Sequence, residues 1–470
     1  MINNILDYYN KAAKNWPKYR KSKSYYWNSV TRYCNYFIPV NHRVLEIGCA
    51  TGELLAGLDA TDKTGIDFSP GMVALARNQF PDIKFEIMQA EGLHLKGPYD
   101  TIIMSNLVGV LPDLETALEQ LNKIVHPGSR IIITSYNRLW EPLIRMAEWL
   151  RIKHKTPVQN WLSRQDLENI LYLKGFETYR TSHSMLIPYR IPVVSWFLNR
   201  ILSRLPFFNL FCLNNYLFAR PEAGCGPSPE EYSTSIVIPA RNEAGNIEKA
   251  IQRIPSFGKH VEIIFVEGNS TDDTMNKIME MHQKYKNSHD IKVIRQPGKG
   301  KGDAVRAGFD IATGDILLIL DADLTVPPEE LPRFYNALRD RRGELINGVR
   351  LVYPMEKNAM RPLNTLGNHF FSLLFSWLLE RPVKDTLCGT KVMFRNDYEK
   401  LVKNRSFFGD FDPFGDFDLL FGAHKLNLKI IDLPVHYMGR KYGNTNINRF
   451  RHGFILLKMS AFAAYKIKFR

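Results

Sequence analysis

The sequence predicts an α/β protein of two domains, and three observations point there. Short apolar runs recur in both halves, each stopping at a small-residue, polar or acidic loop, the βαβ rhythm of sheets with parallel strands. A Pro- and Gly-rich segment, Arg220-Pro-Glu-Ala-Gly-Cys-Gly-Pro-Ser-Pro-Glu230, lies between two strand-like stretches and has the composition of a linker. The length, 470 residues, exceeds what one compact core of this type holds. The expected division is 1–221, a linker 222–231, and 232–470.

In the first half, Arg43-Val-Leu-Glu-Ile-Gly-Cys-Ala-Thr-Gly-Glu-Leu-Leu55 reads as a strand, a small-residue turn and a helix start. Small residues let the backbone come close to a ligand that side chains would block. Thr64-Gly-Ile-Asp67 ends a second strand in a carboxylate, placed to accept hydrogen bonds from both ribose hydroxyls of an adenosine. A third strand, Lys84 to Met88, leads into Gln89-Ala-Glu91, and Tyr99 to Asn106 gives a fourth. His126-Pro-Gly128 turns the chain into a strand from Arg130 to Ser135, and Glu177 to Ile187 with Tyr216 to Arg220 supplies a final antiparallel pair.

The second half repeats the rhythm. Ser235-Ile-Val-Ile-Pro-Ala-Arg-Asn-Glu243 is a strand ending in a polar loop, with a helix expected from Ile247. Glu262-Ile-Ile-Phe-Val-Glu-Gly-Asn-Ser-Thr-Asp-Asp-Thr274 is another, and Ile291 to Arg295 runs into Gln296-Pro-Gly-Lys-Gly-Lys-Gly-Asp303. The apolar run Ile316 to Leu320 is a strand buried on both faces that stops at Asp321 and Asp323. Spacing i, i+2 on extended chain points both carboxylates the same way, at the strand end where open α/β sheets bind ligands. Hard Mg²⁺ or Mn²⁺ prefers such oxygen ligands and bridges carboxylate to phosphate, which suggests transfer from a nucleotide-sugar. The Gly-Lys loop is not a Walker loop, because no Gly-Lys-Ser/Thr has the required spacing.

Taken together, the motifs of the second half resemble family 2 glycosyltransferases of the GT-A fold, from about Tyr232 onward, and within them the dolichol- or polyprenyl-phosphate sugar synthases. Besides the segments above, the likeness rests on Leu387-Cys-Gly-Thr-Lys391, Gly415-Asp-Phe-Asp-Leu419, Leu433-Pro-Val-His-Tyr437 and Arg440-Lys-Tyr-Gly-Asn-Thr-Asn-Ile447. The resemblance implies nucleotide-sugar contacts from Pro239, Ala240, Asn242, Glu243, Glu267, Lys301 and Asp303, and metal and diphosphate binding by Asp321 and Asp323. It implies an acidic residue near the acceptor, for which Asp416 and Asp418 are the candidates, and acceptor-phosphate contacts from Arg440 and Lys441. Two departures stand out: the family's usual Asp pair is Glu267-Gly268 here, and Asn444-Thr445-Asn446 lacks the Lys of a common Glu-Ser-Lys.

The first half resembles class I methyltransferases, which use S-adenosylmethionine in a Rossmann-like domain. Glu46, Gly48 and Gly52 match the first motif, with Ala50 in place of a usual Gly. The resemblance implies cofactor contacts from those three residues, Asp67, Glu91 and Ser105. Methyl transfer asks mainly for orientation, and no His among His94, His126 and His183 stands out as a base. An Asn/Asp-Pro-Pro-Tyr/Phe motif is absent after the fourth strand, which argues against amino-nucleobase methylation.

A formal charge of +14 fits nucleotide diphosphates, a phosphorylated lipid or an anionic membrane surface. Without a recognition module or aromatic-basic stripe, no nucleic-acid partner is expected. Pro192 to Phe208 and Phe454 to Arg470 mix apolar and basic residues as interfacial helices do, although amphipathic helices commonly pack on their own domain. Leu366 to Leu379 is too short and polar for a membrane span, Met1-Ile-Asn-Asn begins no signal pattern, and five scattered cysteines have no metal or disulfide spacing. The expected setting is cytoplasmic, with peripheral contact to the inner face of the cell membrane. The expected function is hexose transfer to polyprenyl phosphate or a related acceptor, fused to a methyltransferase of the same glycan or glycolipid pathway. Its rivals are transfer to a polysaccharide hydroxyl, and a non-catalytic first half that binds or docks.

Overall fold

The computed structural model describes residues 2–150, 160–223, 228–353, 362–405, 417–440, 442 and 449–469. It divides into two compact units, Met1–Glu222 and Ala223–Lys468, each with one seven-stranded sheet. Ser228 N–H donates to Asp340 at 3.0 Å, and Tyr335 O–H donates to Glu231 at 2.6 Å, so the chain belongs to the second unit before its first strand begins.

In the first unit the helices Ile2–Ala13, Trp16–Ser22 and Ser24–Phe37 precede the sheet. Its strands are β1 (Arg43–Ile47), β2 (Asp62–Asp67), β3 (Lys84–Ile87), β4 (Thr101–Ser105), β5 (Arg130–Tyr136), β6 (Phe176–Ser184) and β7 (Asn214–Pro221). Their order is β3-β2-β1-β4-β5-β7-β6, with β1 to β5 parallel and β7 antiparallel to both neighbours. Every residue of β4 is buried, as a central parallel strand covered on both faces requires, whereas edge strand β3 alternates. Two apolar clusters fill the faces. One contains Val30, Leu54 and Phe218, and the other contains Leu45, Leu118 and Leu171.

The second unit holds β8 (Ser233–Ala240), β9 (His260–Glu267), β10 (Asp290–Arg295), β11 (Ile316–Ile319), β12 (Leu345–Val349), β13 (Lys391–Phe394) and β14 (Ile430–Pro434). The order is β10-β9-β8-β11-β13-β12-β14. Here β8 to β11 are parallel, β13 runs antiparallel between β11 and β12, and β14 is parallel to β12. The α/β expectation holds in both halves, and the strands read from the sequence form within a few residues of their expected ends. The antiparallel insertion of β13 was not foreseen. It brings Leu387 to Lys391 beside the exit of β11.

Candidate functional sites

Each sheet has a point where connections depart in opposite directions, between β1 and β4 and between β8 and β11. A crevice opens outside the strand ends at such a point. Both carry the residues singled out above.

In the first unit the crevice is a cavity of about 430 Å³. Glu46, Gly48, Asp67, Glu91 and Ser105 line it, together with Ala50, Met88, Gln89 and Asn106. Gly52 does not. It turns the chain at φ 82° into the helix Glu53–Ala56, and a Cβ there would lie 2.6 Å from the Phe85 ring. Gly48 has φ 74° and leaves no room for a Cβ against Leu107. Ala50 sits in the left-handed region, φ 47°, and its N–H donates to Asp67 Oδ2 at 2.9 Å, while Ser69 N–H donates to Oδ1 at 2.9 Å.

Burial pushes Asp67 up to about 6 against those two N–H donors. Burial also pushes Glu46 up to about 8, with Arg20 opposing and Glu53 and Asp67 adding to the rise. Glu46 Oε2, Asn106 Oδ1, Trp16 Nε1 and Arg20 Nη1 border the cavity and have no hydrogen-bond partner in the protein. A buried polar group without a partner costs about 1–3 kcal/mol, so the cavity wall is built for a ligand with both donors and acceptors.

The sequence reading had no role for residues 2–37, yet they form one wall: Tyr8, Tyr9, Trp16, Tyr19, Arg20 and Trp27 all face the cavity. Asn10 fastens the first helix there, its Oδ1 accepting from Ser69 Oγ at 2.6 Å and Gly71 N at 3.2 Å, two and four residues past Asp67. Arg20 is buried, lies over the Trp27 ring at 3.5 Å and donates to Glu53 Oε2 at 3.2 Å. Asn106, at φ 52° beyond β4, donates to Tyr26 O–H at 2.7 Å, and Tyr26 donates to Asn214 at 3.0 Å. The aromatic run Tyr8-Tyr9…Trp16…Tyr19 was the available signal.

In the second unit, Pro239 and Ala240 end β8, and Asn242 follows at φ 58° with its Oδ1 accepting from Thr271 N at 2.8 Å. Glu267 ends β9 buried, accepting from Ser270 N at 2.6 Å with Arg295 at 3.5 Å. A Cβ on Gly268 would stand 3.2 Å from Gln296 Oε1 and 3.1 Å from Arg241 Cβ, so Gln296 crowds the place of the family's second Asp. Asp303 Oδ2 accepts from Gly298 N at 2.8 Å and closes its own Gly-rich loop.

Beyond β11, Lys301 Nζ is 2.6 Å from Asp321, and Arg440 bridges Asp323 and the buried Glu243, 2.7 Å from each. Burial works to raise Asp321, but Lys301, Arg350 and Lys391 outweigh it and hold the carboxyl below its ordinary value. Burial likewise raises Glu243, with Arg440 opposing. Asp323 Oδ1 accepts from Thr325 N and Oγ1 at 3.2 and 2.8 Å, across Leu324 at φ 53°. Non-Gly residues hold that conformation only where their surroundings over-determine it. Gly389, just before β13, passes so close to Asp321 and Lys301 that a Cβ would collide with both. Asp418 pairs with Arg306 at 3.1 Å, on the helix Lys301–Ile311 that begins with Lys301. Asp416 and Lys441 lie outside the described residues. The structure thus brings Glu243, Lys301, Asp321, Asp323 and Arg440 into paired contact, while Asp303 and Asp418 are engaged in bonds of their own.

Among the described residues no group of three or more His, Cys, Asp or Glu side chains converges. Asp321 and Asp323 are each paired with a basic side chain, Lys301 and Arg440, and are the carboxylates that would offer oxygen ligands to a Mg²⁺ ion completed by substrate phosphates and water.

Residues 17–181 match the family model described as a methyltransferase domain, and residues 235–402 match that of glycosyl transferase family 2. The chain therefore joins a methyltransferase domain to a family 2 glycosyltransferase domain, as its motifs implied. Among solved structures it is similar to a SAM-dependent methyltransferase, possible histamine N-methyltransferase, of Thermotoga maritima (16% identity over 46% of this chain and 98% of that one, TM-score 0.37). It is also similar to magnesium protoporphyrin IX methyltransferase of Synechocystis with bound SAH (16% identity, 47% and 99%, TM-score 0.33). Another similar structure is glucosyl-3-phosphoglycerate synthase of Mycobacterium tuberculosis in complex with phosphoglyceric acid (19% identity, 50% and 80%, TM-score 0.38).

Proposed function

We propose that this methyltransferase–glycosyltransferase fusion moves a hexose from a nucleotide-sugar to polyprenyl phosphate or a related acceptor at the inner face of the cell membrane. Its first domain would methylate a group of the same glycan or glycolipid with S-adenosylmethionine. The observation that carries the sugar transfer is the pair Asp321 and Asp323 at the β8/β11 crevice, held by Lys301 and by the Arg440–Glu243 bridge. Asp321 and Asp323 would hold a divalent cation, which when bound neutralises charge developing on the leaving diphosphate. Lys301 and Arg440 are cations already aimed at that place, Arg440 being matched to the acceptor-phosphate loop. In an inverting transfer an acceptor oxygen attacks the anomeric carbon as its bond to the diphosphate breaks. A phosphate acceptor is ionised beforehand and asks for no strong base. That Asp418 is paired with Arg306 supports this acceptor over a sugar hydroxyl.

In the first domain Asp67 would bind the ribose hydroxyls, and the Gly48–Ala50 turn would admit the cofactor's backbone-facing edge. The orphan atoms of Glu46, Asn106, Trp16 and Arg20 supply donors and acceptors around it. S-adenosylmethionine when bound supplies an activated methyl group; the aromatic wall of Tyr8, Tyr9 and Trp16 keeps water from that end and orients the acceptor.

Labelled GDP- and UDP-sugars offered with Mg²⁺ or Mn²⁺ and polyprenyl phosphate test the reading. Label extracted into the organic phase, and lost in Asp323→Ala, is the expected result. Metal-dependent donor binding without lipid label would move the acceptor to a glycan hydroxyl and make Asp416 the residue to change.

A further inference from the structure

The segment between β6 and β7 folds with its polarity reversed. It forms a helical stretch of mixed pitch, α-helical over Val194–Trp196, π over Phe197–Ile201 and 3-10 over Leu202–Arg204. Its polar side chains face the body of the domain. Ser195 and Ser203 are buried, and Asn199 accepts from the Leu186 and Ile187 N–H groups at 2.7 and 3.0 Å while donating to Ile187 O at 2.7 Å. Its apolar side chains face outward: Val193 is 78% exposed, Trp196 54% and Phe207 66%. Hydrophobic burial would drive the opposite arrangement if the outer face met only water.

A second apolar face adjoins it. Trp140 Nε1 donates to Phe211 O at 2.8 Å, and Asn137 Nδ2 donates to Leu210 O at 2.8 Å, which ties the chain leading into helix Glu141–Trp149 to the end of the reversed segment. On that side Leu139, Met146 and Trp149 are exposed, Trp149 at 79%. The reversed segment carries basic residues and no acidic one. Between Glu177 and Glu222 the sequence contains no acidic residue; within the apolar segment Arg190 is exposed, Arg200 is half-buried and Arg204 turns inward toward Cys212 and Tyr216. On the adjoining helix Glu141 is neutralised by Arg145 at 2.6 Å, and Glu148 lies beside Tyr8.

We propose that residues 189–211 and the exposed side of residues 139–150 form one surface of the methyltransferase domain that seats in the interfacial layer of an anionic lipid bilayer. Aromatic and aliphatic side chains beside exposed Arg190 and Arg145, with Glu141 paired to Arg145, are a composition such a layer binds, the rings entering the acyl boundary and the guanidinium groups meeting phosphate. The same surface reaches the cofactor cavity, because Tyr189 O–H accepts from Lys23 Nζ at 2.9 Å and Lys23 joins the two helices that carry Tyr19, Arg20 and Trp27. The inference extends the membrane attachment proposed above but does not need its acceptor.

Co-sedimentation of the full chain with vesicles free of polyprenyl phosphate tests it. Phosphatidylcholine vesicles containing phosphatidylglycerol as a minor component should pellet the protein at least about tenfold more strongly than phosphatidylcholine alone. Val193→Asp/Phe207→Asp and, separately, Trp149→Asp should each weaken binding by about tenfold or more, and Arg190→Glu by about fivefold or more. These positions are exposed, so the tryptophan-fluorescence unfolding midpoint should stay within about 2 °C of the parent. Absence of binding to anionic vesicles, or binding that the variants leave unchanged, overturns the proposal. A dimer in solution that dissociates in Val193→Asp/Phe207→Asp, without vesicle binding by the parent, also overturns it, in favour of a second copy of this chain. Lipid-product formation in detergent stays at the parent level in these variants if only the surface is lost.

Discussion

Replacing Glu46 by Gln should remove most of the alkaline-side pH dependence of the first unit's stability. Glu46 is buried at the cavity, and its carboxyl stands at about 8 against an ordinary 4.5. A carboxyl whose folded value is raised is stabilised in its neutral form. That contribution is complete below about 4.5 and is lost as pH climbs through about 8. Asp67 behaves alike over a lower window, from 3.8 to about 6, so the interval from pH 6 to 8 belongs chiefly to Glu46. At about 1.4 kcal/mol per pH unit, the parent loses about 2–3 kcal/mol across that interval. For a unit of this size the loss corresponds to a fall in Tm of about 5–10 °C. The Gln variant, neutral throughout, should fall by about 2 °C or less.

Intrinsic fluorescence reads this out without separating the domains. Trp16, Trp27, Trp140, Trp149, Trp161 and Trp196 lie in the first unit, and Trp377 alone lies in the second. Thermal melts of parent and variant at pH 6, 7 and 8 are the measurement. Parallel pH profiles would refute the reasoning and place the ionised carboxylate in the folded state. A cationic cofactor near Glu46 favours its charged form, so S-adenosylmethionine binding should release a proton at pH 7 and tighten toward pH 8. Calorimetry in two buffers of different ionisation enthalpy measures that release.

Two further substitutions address the backbone of each crevice. Ala50→Gly removes a side chain held at φ 47° and should raise the first unit's stability by about 0.5–1 kcal/mol, seen as a higher Tm; a lower Tm would show that the Ala methyl packs usefully. Gly389→Ala places a Cβ 2.7 Å from Asp321 Oδ1 and against the Lys301 ammonium, so sugar transfer should fall at least about tenfold while S-adenosylmethionine affinity is unchanged; transfer at the parent rate would remove Lys301–Asp321 from the proposed site.

The legible parts of both domains were strand exits, because a chain must bury an apolar run and then stop it with residues that tolerate an open loop. Glu46, Asp67, Ser105, Asp321 and Asp323 all sit at such exits. Contacts made across long sequence distance were hidden. Arg20 meets Glu53 and Arg440 meets Glu243, 33 and 197 positions apart, and nothing local marks either arginine as paired. Tyr8 and Trp16 have the look of ordinary helix residues until the helix Ile2–Ala13 is laid over the end of β2. The segment from Pro192 to Phe208 was read as apolar with basic residues, but which side would face outward depends on Asn199 finding Leu186 and Ile187.

Among the described residues, the first crevice is lined by residues from Ile5 to Tyr136, and the second is built from residues between Pro239 and Arg440. What a single polypeptide imposes is dosage. Every copy translated delivers one methyltransferase domain and one glycosyltransferase domain, and their ratio is fixed at synthesis whatever the expression level. A cell that needs one modification for every instance of the other would gain from that arrangement, and separated halves mixed at unequal concentrations would be the way to see what it controls.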